Sequence, residues 1–211
     1  MTYAIEARDL YYTYEDGTVA LDHISFRAER GKMTGILGAN GAGKSTLFLN
    51  LNGVLTPAGG EVRVDGVPVT YDRKGLISVR KQVGIVFQDP DDQLFSADVY
   101  RDISFGGVNL GLPEEEVRRR VDEAMEWTGV THLKGKPTHA LSFGQKKRVA
   151  IAGVLVMEPS VVILDEPTAG LDPQGVSDIM RLLAELRGRL GMTIIIATHD
   201  MDIVPLYCCL L

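Results

Sequence analysis

The sequence predicts an α/β fold in which a parallel-sheet core carries an antiparallel β layer at its start and an inserted α-helical subdomain in its second half. Three observations carry this. Runs at 33–37, 83–87, 161–164 and 193–197 are short, rich in β-branched residues and apolar without alternation, as strands buried on both faces are. The first run leads through a Gly-rich loop into a helical pattern. Between about 90 and 158 the strand pattern fades and apolar positions recur at helical spacing.

In chain order, alternating segments flank Asp16-Gly17 and Asp65-Gly66, pairs that supply the positive φ angles of tight hairpin turns. Strand 33–37 precedes GANGAGKS at 38–45, and a helix is expected over 44–51. After Pro113, Val117, Val121, Ala124 and Met125 mark an amphipathic helix over 114–128. Ser142 and Gln145 have the spacing of a capping box, so Ser142 is the expected N-cap of an apolar helix whose first turns carry Lys146, Lys147 and Arg148. Cations are unfavourable at that end of a helix dipole. Either an anion compensates them or they form a solvated face. A late helix starts with Asp172 as N-cap and Pro173 at its first position, and ends before Gly191.

With 211 residues and 45% apolar composition, the chain buries one substantial core and reads as a single domain. We expect residues 1–89 and 159–211 to form the core and 90–158 the helical subdomain. A net charge of −6 argues against broad nucleic-acid binding. The apolar run 149–157 is nine residues, about half of the roughly 20 that cross a bilayer. The N-terminus lacks a basic region followed by an apolar core, so a cytosolic location is expected. Cys208 and Cys209 are adjacent, with Cα atoms about 3.8 Å apart against roughly 4.4–6.8 Å in disulfides, so free thiols are expected.

Chemistry concentrates at three places. GANGAGKS fits a P-loop and identifies the core as that of a P-loop nucleoside triphosphatase: backbone N–H groups converge on phosphates, Lys44 neutralises them and Ser45 ligates Mg²⁺. VVILDE delivers two carboxylates at the end of a buried strand. Asp165 is placed to hold Mg²⁺ and Glu166 to polarise the attacking water. His199 follows the last strand, where it orients that water, donates to the γ phosphate or is structural only. Gln88 ends another strand and contacts either Mg²⁺ or the water. Tyr14 stacks on adenine or packs within its hairpin.

The ordered set GANGAGKS, FQDPDDQLF, LSFGQKKRVAIAG, VVILDEP, AGLD and THD covers nearly the whole chain and resembles the ATP-binding cassette (ABC) ATPases. Within them it is most similar to the ATPases of energy-coupling-factor importers associated with cobalt or nickel. The resemblance implies two cassettes, alike or different, that sandwich two ATP molecules head to tail, and an integral membrane partner that they drive from its cytoplasmic face. It assigns adenine stacking to Tyr14 and phosphate binding to Gly38, Ala39, Asn40, Gly41, Ala42, Gly43, Lys44, Ser45 and Thr46. It implies that Gln88 senses the nucleotide and couples to the membrane subunit. Ser142, Gly144 and Gln145 belong to the signature turn that contacts the opposing γ phosphate. Glu166 is implied as general base, Asp172 as part of the loop crossing the dimer interface, and His199 as the switch histidine. Phe143 departs from the usual Gly, and its ring is expected to crowd the interface or pack outward. Only 12 positions follow His199, fewer than in typical members. Two other readings are a soluble cassette acting on nucleic acid or ribosomes, and a truncated cassette without catalysis.

Overall fold

The computed structural model describes residues 2–199 and the residue pair 209–210. The chain begins with β1 (Tyr3–Thr13), β2 (Val19–Glu29), β3 (Met33–Leu37) and α1 (Lys44–Leu51). It continues through β4 (Gly59–Val64), β5 (Val67–Pro68), α2 (Arg73–Gln82) and β6 (Val83–Val86). Helices α3 (Val99–Asn109), α4 (Glu114–Thr128) and α5 (Phe143–Leu155) follow, then β7 (Val161–Asp165), α6 (Pro173–Leu190), β8 (Thr193–Thr198) and β9 (Cys209–Leu210). The side chains of Cys208 and Cys209, expected to be free thiols, lie outside the described residues.

Two sheets result. One is antiparallel with strand order β2-β1-β4-β5, and the other is parallel with order β6-β7-β8-β3-β9. In the first hairpin Gly17 has φ 85° and the Asp16 carboxylate accepts from the Thr18 N–H at 2.9 Å. In the second, Asp65 and Gly66 both have positive φ, 52° and 78°, as the turn type of Asp-Gly hairpins requires.

The unbroken apolar runs are explained by the two faces of the parallel sheet. Val161, Ile163, Ile195 and Ala197 face a core shared with the antiparallel layer and α1, through Phe48 and Leu51. Their neighbours Val162, Leu164, Ile194 and Ile196 face the opposite core, packed by α5 and α6 and continuous with the packing of α3 and α4. Each fully buried side chain of this size stabilises the fold by about 1.5–3 kcal/mol.

Helix ends follow local chemistry. The Asp172 side chain accepts from the Gly175 N–H at 2.7 Å, Pro173 opens α6, and Gly191 closes it at φ 63°. In α4, Glu114, Glu115 and Glu116 occupy the first turn, where the dipole favours acids, and Gly129 ends the helix at φ 70°. The capping box at α5 is present in both directions: Gln145 N–H to Ser142 Oγ at 3.3 Å, and Ser142 N–H to Gln145 Oε1 at 3.0 Å.

Candidate functional site

The loop between β3 and α1 is shaped by backbone requirements. Gly41 and Gly43 have φ of 82° and 87°, and a Cβ on Gly43 would lie 2.5 Å from the Ala20 carbonyl oxygen of β2. Close seating on β2 therefore demands glycine at 43. The helix that follows has neither a side-chain cap nor an acid in its first turn, so its N-terminal N–H groups remain available to an anion. Lys44 Nζ donates to the carbonyls of Gly38 (2.5 Å) and Ala39 (3.1 Å), and stands 3.9 Å from Glu166 Oε1.

This loop lines a cavity of about 590 Å³, within the usual range for small-molecule sites. All residues from Ala39 to Thr46 contribute, joined by Tyr14, Gln88, Asp165 and Glu166; Gly38 does not line the cavity but holds the Lys44 head. Ser45 Oγ donates to Asp165 Oδ2 at 2.5 Å. The hydroxyls of Tyr14 and Thr46 share a hydrogen bond of 2.8 Å, which keeps the partly exposed Tyr14 ring at the cavity rim, edge-on to Tyr12.

Glu166 is almost fully buried at the end of β7 and takes a left-handed backbone, φ 44°, rare and costly for a side chain of this kind. The turn sends its carboxylate away from that of Asp165: Asp165 meets Ser45, while Glu166 Oε1 lies 2.9 Å from His199 Nδ1. A second cavity of about 580 Å³ borders the first, and Ser45, Gln88 and Asp165 line both.

Ser142, Gly144, Gln145 and Asp172 do not line the phosphate-loop cavity of their own chain. They serve local structure here, as helix caps or, for Gly144, as a residue with its missing Cβ facing Leu171. Phe143 is 37% exposed. Its ring turns into the second cavity and lies over Gly170, where an added Cβ would come within 2.9 Å of the ring. Gly170 also has φ 77°. Gly170→Ala is therefore expected to destabilise by about 1–2 kcal/mol, from left-handed strain plus displacement of the ring. Part of that loss should vanish in a Phe143→Ala background, and a double-mutant cycle by urea unfolding measures the coupling.

The cations at 146–148 do not form an open solvated face, and the anion that compensates the first of them belongs to this chain. Lys146 pairs with Asp91 at 2.5 Å, and Arg148 donates to the Thr128 carbonyl at 3.1 Å. Lys147 is buried and donates to the carbonyls of Gln88 and Glu166, each at 3.0 Å. Burial pulls its pKa down to about 8, against the opposing pull of Asp89, Glu166 and Asp165. Sequence reasoning missed it because a lysine within a run of three cations looks like surface.

The ABC transporter family model matches residues 21–169. The energy-coupling factor transporter ATP-binding protein EcfA2 of Clostridium perfringens is 64% identical over 98% of this chain and 72% of its own length. Among solved structures, cbiO1 from Clostridium perfringens, described as part of the ABC transporter complex cbiONQ, superposes with a TM-score of 0.90 at 63% identity, over 99% of this chain and 83% of that one. A dimeric post-hydrolysis state of the ATP-binding cassette MJ0796, bound to ADP and Pi, matches with a TM-score of 0.85 at 26% identity, over 98% of this chain and 94% of that one.

Proposed function

The chain belongs to the ABC transporter family, and from that premise we propose that it is the ATP-hydrolysing subunit of an energy-coupling-factor importer, working as one of two cassettes on a separate membrane subunit to energise uptake of cobalt or a related metal ion. The observation that carries the catalytic part is the convergence of Lys44, Ser45, Asp165 and Glu166 on one cavity, with His199 held against Glu166, by direct contacts of 2.5–3.9 Å.

In this reading the N-terminal N–H groups of α1, the loop from Gly38 to Thr46 and the Lys44 ammonium hold the triphosphate, and the Tyr14 ring lies along the adenine. The Ser45 hydroxyl and Asp165 carboxylate, with the Gln88 amide on the same wall, are hard oxygen donors of the kind Mg²⁺ takes alongside water and phosphate oxygens. These residues fit the ion, and when bound it would neutralise phosphate charge. Glu166, desolvated and free of a metal-facing role, accepts the proton of the attacking water. His199 holds the Glu166 carboxylate in place and reaches toward the γ phosphate. Ser142, Gly144 and Asp172 stand outside the phosphate-loop cavity of their own chain, and by the family resemblance they act on the nucleotide of the second cassette.

Coupling to the membrane subunit runs through Gln88. The preceding Phe87 lines a separate apolar groove of about 490 Å³ with Ile77, Phe95 and Phe105, and the last two rings pack edge to face with centroids 4.7 Å apart. Among the described residues no helix is long and apolar enough to cross a membrane, so transport requires a partner, and we assign the groove to an apolar segment of it. The cobalt assignment rests on the sequence resemblance. Reconstituted in vesicles with its membrane subunits, the wild-type ATPase should drive Co²⁺ accumulation on addition of ATP, and Phe105→Asp should abolish accumulation while leaving ATP binding intact. Uptake unaffected by that substitution would remove the groove from the mechanism.

A further inference from the structure

We propose that Lys147 is a positioning residue for hydrolysis, a buried ammonium that ties the signature helix α5 to the backbone at Gln88 and at Glu166. The geometry is specific. Lys147 stands on the second turn of α5, is 2% exposed, and donates to two carbonyls that belong to different strand ends. One lies two residues past β6, next to Phe87 of the apolar groove, and the other, just past β7, belongs to the residue with the strained backbone. The Glu166 carbonyl accepts from Lys147 and also from the Ala169 N–H at 3.1 Å, so two donors hold the left-handed turn that aims the Glu166 carboxylate. The Phe143 ring of the signature turn lies over the ammonium, with its centroid 5.3 Å from Nζ.

Stability does not explain a charge at this place. A buried cation costs more in desolvation than an apolar isostere of similar volume, and a methionine removes that cost while taking a donor from two carbonyls, so little net stability is at stake. What methionine cannot do is grip both carbonyls. A small rotation of α5, set by what its N-terminal turn meets, is therefore transmitted through one rigid side chain to the water-facing carboxylate and to the segment next to the groove.

This inference rests on the reading of Glu166 as the base, and the two are separated by running Glu166→Gln in parallel. Lys147→Met should lower kcat about ten-fold or more, since displacements near 1 Å in a catalytic group carry losses of that order. KM for ATP and binding of a fluorescent ATP analogue should stay within about three-fold, and Tm should change by only a few degrees, the relief of desolvation offsetting the two lost hydrogen bonds. Lys147→Gln is one bond shorter and cannot span both carbonyls, so it should lose kcat with affinity retained, and it decides the matter if Lys147→Met is not recovered folded. Wild-type kcat in the folded variants overturns the inference, as does a fall of kcat in proportion to Tm. Full turnover in Glu166→Gln instead overturns the reading of the base, whatever Lys147→Met does.

Discussion

Replacing Glu166 by Gln lowers the rate of ATP hydrolysis by about 10²–10⁴-fold and leaves ATP affinity nearly unchanged, the usual span for loss of a positioned general base. Gln has the same shape and keeps an oxygen to meet His199, so the 2.9 Å contact and the left-handed turn at φ 44° survive. Only the ability to accept a proton is lost. Because the carboxylate is nearly excluded from solvent, bulk water does not substitute for it. The variant should then accumulate an ATP-bound dimer, visible by light scattering, since two cassettes that sandwich ATP stay together until it is hydrolysed. Turnover close to wild type would move the base elsewhere.

The second large effect concerns the two halves of the site. Lys44→Ala removes the ammonium that stands between the loop carbonyls and Glu166. Charge-assisted bonds to a phosphate contribute about 1.5–3 kcal/mol, so nucleotide affinity should fall roughly 10- to 100-fold, read by titration with a fluorescent analogue. Gly144→Asp acts oppositely. Within its own chain a Cβ at 144 meets only Leu171 at 3.6 Å, an ordinary contact, and an acid in the first turn suits the helix dipole. The variant should fold and bind ATP at its own loop. Set against the γ phosphate of a second cassette, however, the carboxylate repels, and hydrolysis should fall by at least about 100-fold.

Much of this was legible in the sequence because the signals were local. Strand β3, helix α1 and helix α4 occur at the residues where apolar pattern and punctuation place them, and the caps at Asp172 and Ser142 follow from side chains within three residues of their targets. Helix α2 left no comparable trace, since its inner face is only Leu76 and Val79 within an otherwise polar stretch. The contacts that were not legible join residues far apart in the chain. Lys147 reaches carbonyls 59 and 19 positions away, and Phe143 packs on Gly170. A carbonyl has no identity in sequence, so nothing in KKR distinguishes the lysine that is buried from the one that pairs with Asp91.

The central claim is that one nucleotide is gripped by the loop of one cassette and the signature turn of another. Mixing the Lys44→Ala and Gly144→Asp proteins, at an ATP concentration too low to load Lys44→Ala, tests it directly. In a mixed dimer one site combines both defects and the other combines an intact loop with an intact signature turn. Random pairing makes half of the dimers mixed, so activity should return to about a quarter of wild type. If all components of a site came from one chain, every chain in the mixture would remain defective, and mixing would restore nothing.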